Sequence, residues 1–224
     1  MSLMPDRTAF IRANTRLRPV PLVPEIALHL ADEAVPLWQK TEEELAAIGL
    51  PPPFWAFAWA GGQALARYLI DNPDSVAGKR VLDLGSGSGL VAIAAAMAGA
   101  VPVIAADIEA FSEAAIALNA EANGVHVEAL IADLLDAPAS HEPRYDVILV
   151  GDLFYEQATA QRALGFLSRG REAGARVLIG DPGRAYLPKQ SLTTLATYSV
   201  PVTRELEDNE IKRTTVFAFP SALD

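Results

Sequence analysis

Aspartates that end successive apolar segments are the residues of this sequence best placed to do chemistry. The first four such residues along the chain are Asp83, Asp107, Asp133 and Asp152. A fifth, Asp181, begins an Asp-Pro-Gly sequence that is itself typical of a turn. One aspartate in such a position often only caps a helix or forms a turn. Four of them together with a glycine-rich turn favour a ligand-binding site instead.

The glycine-rich turn reads Asp83-Leu84-Gly85-Ser86-Gly87-Ser88-Gly89 and lies between an apolar segment and a predicted helix. Its glycines let a ligand approach the backbone closely. The NAD-binding pattern G-x-G-x-x-G needs glycine at position 90, which Leu90 occupies. Asp83 is unsuited to a pyrophosphate neighbour but suits a ligand with an ammonium group. S-adenosylmethionine has an amino acid end, no phosphate and a sulfonium, and therefore fits this turn better than NAD.

Two further acids predict how the rest of such a ligand is held. Asp107 follows Gly85 at roughly the 20-residue spacing of an acid that hydrogen-bonds ribose hydroxyls. Asp133 ends the third apolar segment and is placed to accept a hydrogen bond from the adenine amino group. Ligands of open α/β sheets bind at the carboxyl ends of the strands, so these acids predict one shared crevice.

The elements that must position these acids are strands and helices in alternation. From about Arg80 onward, short apolar segments alternate with helical segments of about ten to fifteen residues, which predicts βαβ units and a mostly parallel sheet covered on both faces. The five predicted parallel strands cover 80–84, 101–107, 125–133, 145–152 and 175–181. The tail predicts two further strands over 198–208 and 211–220, paired antiparallel across a turn at Asp208-Asn209.

The N-terminal residues 1–50 read differently from the rest. The segment PVPLVPEI is rich in proline and is expected to be extended. Thr41 and Glu44 fit a capping box at the start of a short helix. We therefore expect an arm over residues 1–50 that packs on a core domain over residues 51–224.

Composition and charge exclude several other kinds of site and partner. The chain has 224 residues, a formal net charge of −10, three histidines and no cysteine. The missing cysteines exclude disulfides, thiolate nucleophiles and iron–sulfur clusters, and the scattered histidines give no reason to expect a metal. The acidic charge argues against nucleic acid and anionic membranes as main partners. No apolar run reaches transmembrane length and the N-terminus lacks the apolar core of a signal peptide, so we expect a cytoplasmic protein.

Six longer segments form a combined pattern. They read VPEIALHLA, PFWAFAWAGGQALARYLIDNP, GKRVLDLGSGSG, AIAAAMAGA, VGDLFY and RVLIGDPGR. Together they resemble the seven-β-strand, S-adenosylmethionine-dependent protein methyltransferases, and within them most closely the electron-transfer flavoprotein β-subunit lysine methyltransferases and their bacterial relatives. The resemblance implies a Rossmann-like class I methyltransferase fold with a seven-stranded, mostly parallel sheet. It also implies methylation of a protein lysine, on the flavoprotein β-subunit or on a ribosomal stalk protein.

The resemblance also implies roles for individual residues. Together with Asp83, the expected cofactor contacts are Trp59, Gly85, Ser86, Gly87, Asp107, Ile108, Asp133, Leu134 and Gly151. Gly151 is expected beside the reacting methyl group. Asp152 and Tyr155 match the acid-x-x-tyrosine element that lines the lysine channel in this family, and we expect both to orient the amine. The sequence leaves open whether Asp152 also removes a proton from it.

The aromatic residues divide into packing and contact positions. We expect Trp55 and Phe57 to join the N-terminal arm to the sheet, and Trp59 to touch the cofactor. Phe154 is expected in the core, although a contact with the substrate is the alternative. Arg67 and Tyr68 are expected to be surface and packing residues.

Other functions remain as alternatives. A small-molecule N-methyltransferase, acting for example on nicotinamide, would need a deep closed pocket with the N-terminal arm as its lid. A cofactor-binding module without catalysis has no direct support in the residues. A dinucleotide oxidoreductase is disfavoured by Leu90 and Asp83.

Overall fold

The computed structural model describes residues 6–31, 52–136, 144–202 and 211–219. Its first elements are helix α1 (Arg7–Asn14) and an antiparallel hairpin of strands β1 (Thr15–Val20) and β2 (Val23–Ala31). Helix α1 begins after Asp6, whose carboxylate accepts hydrogen bonds from the amides of Thr8 at 3.0 Å and Ala9 at 3.3 Å. The predicted extended conformation of PVPLVPEI is confirmed only in part, because Pro19-Val20 end β1 and Val23–Ile26 begin β2, but Pro21-Leu22 form the turn between them.

A seven-stranded sheet forms the centre of the fold. Its strands are β3 (Val81–Leu84), β4 (Val103–Asp107), β5 (Glu128–Ile131), β6 (Val147–Gly151), β7 (Arg176–Asp181), β8 (Thr193–Pro201) and β9 (Ile211–Ala218). Their order across the sheet is β5-β4-β3-β6-β7-β9-β8. Strands β3 to β7 are parallel, whereas β9 runs antiparallel to both β7 and β8. Every residue of β3 is buried, as expected of a parallel strand covered on both faces.

Helices cover both faces of the sheet. They are α2 (Ala60–Asp71), α3 (Leu90–Met97), α4 (Ala110–Ala122) and α5 (Gln157–Glu172). Successive residues of β6 point to opposite faces, so that Leu149 packs in one apolar cluster and Ile148 in another. The first cluster also contains side chains of α2, α3, α4 and the hairpin, and the second contains those of α5. The mixed α/β class and the mostly parallel sheet are therefore confirmed.

The N-terminal hairpin shares the first cluster, where Val20, Ile26 and Leu28 are fully buried. Asn119 of α4 and Asn123, which follows the end of α4, bind its second strand. The Asn123 side chain accepts from the amide of Ala27 at 2.9 Å and donates to its carbonyl at 2.7 Å. Asn119 accepts from the amide of His29 at 2.7 Å. The division of the chain at residue 50 stays a prediction.

The observed strand boundaries differ most from the expected ones at two places. Strand β5 pairs with β4 only over Glu128–Ile131, so it is shorter than the predicted 125–133. Strand β8 begins earlier than the predicted 198, because Thr193 already pairs with Ala218 of β9. The antiparallel pairing of the tail is confirmed. The predicted capping box of Thr41 and Glu44 and the predicted turn at Asp208-Asn209 lie outside the described residues.

Candidate active site

A cavity of about 420 Å³ lies at the carboxyl edge of strands β3, β4 and β6. This volume is within the range of small-molecule sites. The structure brings every site residue predicted from the sequence to its wall. They are Trp59, Asp83, Gly85, Ser86, Gly87, Asp107, Ile108, Asp133, Leu134, Gly151, Asp152 and Tyr155. The shared crevice follows from the parallel strands, which end at one edge of the sheet.

The glycine turn between β3 and α3 needs its glycines for conformational reasons. Gly85, Gly87 and Gly89 have φ angles of 72°, 53° and 83°, in the left-handed region that side chains disfavour. A Cβ on Gly89 would also lie 3.3 Å from Cγ1 of Ile116 in α4. Gly85 itself is exposed to the cavity, so a ligand has access to the backbone there.

Asp83 is 1% exposed and stabilises this turn from below. Its Oδ2 accepts hydrogen bonds from the Ser86 hydroxyl at 2.5 Å and from the amide of Ala92 at 3.1 Å. Burial raises the pKa of Asp83 to about 7, against the lowering effect of these hydrogen bonds. The expected contact of Asp83 with a ligand ammonium stays a prediction, and its observed partners belong to the turn and to α3.

As pH rises from about 4 to about 7, we expect the wild type to lose free energy of unfolding compared with the Asp83→Asn variant. The pKa of Asp83 is about 7 in the folded protein and about 3.9 in an unfolded chain. Between these values the folded state binds more protons, so the wild type loses free energy of unfolding as pH rises. Asparagine does not titrate. Urea unfolding of both proteins across this range measures the difference, and parallel pH dependences would contradict the expectation.

Asp107 joins the end of β4 to the glycine turn of β3. Its Oδ2 accepts from the amide of Gly87 at 2.7 Å, and its Oδ1 accepts from the amide of Glu109 at 2.9 Å. The next residue, Ile108, is 66% exposed and lines the cavity. A half-buried carboxylate beside an exposed apolar side chain suits a ribose and the base attached to it.

Asp133 lies on the exposed side of the cavity and has a partner that the sequence did not reveal. Its Oδ2 binds Nη2 of Arg162 in α5 at 2.7 Å, and its Oδ1 accepts from the amide of Leu135 at 3.1 Å. Arg162 also binds Asp136 at 2.7 Å. The hydrogen bond from Arg162 lowers the pKa of Asp133. Its predicted contact with the adenine amino group stays a prediction.

Asp152 is held by several contacts in the cavity wall. It is 8% exposed and has a φ angle of 56°, which is strained for a residue other than glycine. Its Oδ2 accepts from the amide of Gly62 at 2.9 Å, and its Oδ1 binds Nη2 of Arg184 at 2.9 Å. Burial raises the pKa of Asp152 to about 6, although the charge of Arg184 opposes this effect. Backbone strain of this kind is common at functional sites.

The N-terminus of α2 approaches the sheet closely enough to make the Gly62 contact. A Cβ on Gly61 would collide with the carbonyl of Gly180 and with Oδ2 of Asp152. A Cβ on Gly180 would collide with the carbonyl of Gly61, and one on Gly151 would lie 3.1 Å from the backbone of Gly62. The tryptophan–double-glycine segment therefore places a helix N-terminus against Asp152, where its partial positive charge favours a carboxylate.

Aromatic side chains form a rim around the cavity. The Phe54 ring centroid lies 5.9 Å from that of Trp59 and 6.1 Å from that of Tyr155, and Phe57 lies 5.6 Å from Trp59. Trp59 is held by a hydrogen bond from its Nε1 to the Phe54 carbonyl at 3.0 Å. Tyr155 is 50% exposed. Electron-rich ring faces at such a rim attract cationic groups.

The packing roles predicted for three other residues are confirmed. Trp55 is 2% exposed, stacks on Phe111 at 5.7 Å and shares an apolar cluster with Ile11 of α1. Phe154 is fully buried in the second core cluster. Arg67 binds Glu25 of β2 and Asp71 of α2, each at 2.7 Å. Phe57, in contrast, is only half-buried and lines the cavity beside Trp59, which differs from the packing role expected for it between the N-terminal arm and the sheet.

Asp181 forms the turn that its sequence suggests. Its Oδ1 accepts from the amides of Gly183 at 2.6 Å and Arg184 at 2.7 Å. This turn directs Arg184 to the cavity, a position that was not predicted from the sequence. The signal was present in RVLIGDPGR, where a rigid Asp-Pro-Gly turn precedes a charged residue.

The described residues contain neither a membrane-spanning helix nor a metal-binding cluster. None of their helices is long and apolar enough to cross a membrane. No group of three or more histidine, aspartate or glutamate side chains among them is arranged to hold a metal ion.

The acceptor groups in the cavity fit S-adenosylmethionine. Carboxylates at the ends of β3, β4 and β6 and electron-rich rings suit a ligand with an ammonium, ribose hydroxyls and a sulfonium. The sheet order with its antiparallel end and this cavity define a class I, S-adenosylmethionine-dependent methyltransferase. A family model described as lysine methyltransferase matches residues 53–189. The chain belongs to this lysine methyltransferase family.

The chain is also similar in sequence to individual proteins of this family. The electron transfer flavoprotein beta subunit lysine methyltransferase of Rattus norvegicus is 38% identical, over 94% of this chain and 83% of that protein. The homologue of Caenorhabditis elegans is 32% identical, over 84% of this chain and 85% of that protein.

A solved structure supports the fold. Magnesium protoporphyrin IX methyltransferase from Synechocystis, crystallised with bound S-adenosylmethionine, matches 71% of this chain and 80% of its own chain with a TM-score of 0.50. Its identity to this chain is 19%, so the likeness concerns the fold.

Proposed function

We propose that this chain transfers methyl groups from S-adenosylmethionine to a lysine of the electron transfer flavoprotein β-subunit. The observation that carries the proposal is the buried carboxylate of Asp152 in a cavity with an aromatic rim. The choice of substrate rests on the names of the rat and worm relatives, which span most of this chain.

The cofactor would lie along the glycine turn and the end of β4. Gly85 and Gly87 allow its close approach, and Asp107 accepts hydrogen bonds from the ribose hydroxyls. Ile108 and Leu134 border the adenine, as lining residues of the same cavity. When bound, S-adenosylmethionine supplies an electrophilic methyl group on a sulfonium.

The amine would enter beside Asp152 and Tyr155. Methyl transfer to nitrogen is an in-line displacement, so the protein needs no covalent nucleophile. It acts mainly by positioning the reactants, which can lower the activation barrier by roughly 7–11 kcal/mol. Asp152 accepts a hydrogen bond from the amine, and the hydroxyl of Tyr155 orients it from the rim. Gly151 has no side chain and leaves space for the methyl group next to them.

The direct test uses purified enzyme, methyl-labelled S-adenosylmethionine and the purified flavoprotein β-subunit. We expect label on a lysine of that subunit, located by peptide mass spectrometry, and no label on a subunit whose lysines are chemically blocked. A ribosomal stalk protein and a cell lysate form two further arms. Labelling of another protein would correct the substrate, and no labelled protein in any arm would contradict a protein lysine methyltransferase.

A small-molecule methyltransferase is distinguished by the same assay with nicotinamide. None of the cavity's described lining residues belongs to the N-terminal hairpin, so those residues give no support to the expected lid. Calorimetric titration with S-adenosylmethionine and with NAD separates the methyltransferase from the oxidoreductase alternative, and we expect heat of binding only with the former.

A further inference from the structure

The end of the cavity proposed for the lysine already contains a cation of the protein itself. Nη2 of Arg184 lies 2.9 Å from Oδ1 of Asp152, and its Cζ lies 5.9 Å from the centre of the Trp59 ring. The Arg184 side chain is 20% exposed and lines the cavity. The arginine therefore occupies the surroundings, a carboxylate and an aromatic face, that would also attract a lysine ammonium.

The position of Arg184 is built into the end of β7. Oδ1 of the buried Asp181 accepts from the amides of Gly183 and Arg184, at 2.6 Å and 2.7 Å. Gly183 has a φ angle of 99°, which a residue with a side chain adopts only with strain. These contacts fix the backbone from which the guanidinium reaches Asp152.

A fixed cation matters because of the protonation state of the substrate. A lysine must lose its proton before its nitrogen can attack, and a free lysine has a pKa of about 10.4. An ionised Asp152 alone would stabilise the ammonium form and hold the lysine in its unreactive state. Arginine remains protonated throughout the working pH range, so its charge opposes this effect at every pH.

We propose that Arg184 is a positioning residue that cancels the charge of Asp152, so that the substrate lysine is held as an uncharged amine. The proposal rests on the function proposed above. In the transfer, the nitrogen lone pair forms a bond to the methyl carbon, the carbon–sulfur electron pair stays on sulfur, and the proton lost by the nitrogen goes to solvent. Asp152 then orients the amine through a hydrogen bond instead of trapping an ammonium.

The charges that face this position come from three segments. Asp152 and Tyr155 follow β6, Asp181 ends β7 with Arg184 three residues later, and Lys189 is near enough to Asp181 to act on its charge. Burial raises the pKa of both Asp152 and Asp181. Asp181 adds to the rise at Asp152, whereas the charge of Arg184 opposes the rise at both carboxyls and the charge of Lys189 opposes it at Asp181. Removal of Arg184 leaves the two carboxylates opposed by Lys189, which favours a protonated substrate.

The test compares the pH dependence of kcat/KM in the wild type, Arg184→Gln and Arg184→Lys, with methyl-labelled S-adenosylmethionine and the β-subunit as substrates. We expect the acid limb of Arg184→Gln to move to higher pH by about one unit, so that its rate is about tenfold lower on the limb and recovers at alkaline pH. Arg184→Lys keeps the charge and should stay close to the wild-type profile. Arg67→Gln is the matched control, because Arg67 is also paired with carboxylates and is 17% exposed but does not line the cavity.

The possible results distinguish the proposed role of Arg184 from the proposed lysine methylation. An equal loss of rate at every pH, or an Arg184→Lys profile that shifts like Arg184→Gln, would overturn the role of the charge. Thermal unfolding checks each variant, and Arg184→Met replaces Arg184→Gln if that protein does not fold. Unfolding of both would show a structural role and also overturn the proposal. If the wild type methylates no protein lysine, the proposed function fails and this inference fails with it.

Discussion

Replacement of Asp152 by asparagine is expected to lower kcat/KM for methyl transfer about a hundredfold, while S-adenosylmethionine still binds. The pKa of Asp152 is about 6, so the wild-type side chain is ionised at neutral pH and accepts hydrogen bonds strongly. Asparagine has the same shape, tolerates the left-handed backbone and can still accept from the amide of Gly62. The loss should therefore come from the missing charge and not from a displaced helix. Steady-state kinetics and calorimetric titration measure the two quantities separately.

A control at the other end of the same strand makes this result specific. Asp146 precedes β6, is exposed and accepts from the amide of Arg80 at 2.7 Å. Asp146→Asn makes the same chemical change at the opposite edge of the sheet and should leave the kinetics unchanged. An Asp152→Asn enzyme with the wild-type rate would remove Asp152 from the proposed site. A weakened affinity for S-adenosylmethionine as the main effect would instead assign Asp152 to the cofactor.

Replacement of Gly61 by alanine is expected to destabilise the fold by about 3 kcal/mol and to abolish methyl transfer. A methyl group there would collide with the backbone carbonyl of Gly180, which is part of β7 and cannot rotate away. Helix α2 would have to move from the sheet, and the amide of Gly62 would leave Oδ2 of Asp152. Chemical denaturation gives the free energy of unfolding, and the methylation assay gives the activity.

The neighbouring glycine is the matched control for stability. A Cβ on Gly62 would lie 3.7 Å from Cδ2 of Leu90 and 3.8 Å from Cγ2 of Val91, which are ordinary contact distances. Alanine also favours a helix over glycine by about 1 kcal/mol. Gly62→Ala should therefore fold at least as stably as the wild type. Equal stability of the Gly61 and Gly62 variants would show that the contact between α2 and β7 is looser than observed.

Much of the fold and the outline of the site could be read from the sequence because their signals are local. Apolar segments alternating with helical ones predicted the parallel sheet, and the turn at Gly85, Gly87 and Gly89 identified the first strand and helix of the site. Acids at strand ends were predicted to meet at one edge, because parallel strands share their carboxyl edge. The boundaries of β5 and β8 were less accurate, since they depend on hydrogen bonds with neighbouring strands.

The partners of the site residues could not be read in the same way. Asp83 was expected to face a ligand, yet its observed hydrogen bonds are to Ser86 and to the start of α3. Arg162 binds Asp133 from helix α5, which follows the next strand along the chain. The double glycine was noted as a family feature, but its close approach to Gly180 was not expected.

The sequence by itself indicated which acids and glycines line the cavity, because residue type, spacing and the order of elements along the chain are properties of the chain. Only the tertiary structure decided what each residue contacts and therefore its charge state. Asp152 and Arg184 are far apart in sequence and meet because β6 and β7 are neighbours in the sheet. Burial raises the pKa of Asp152 and that arginine lowers it, and both effects depend on distances through space. A spacing in the sequence does not specify such distances.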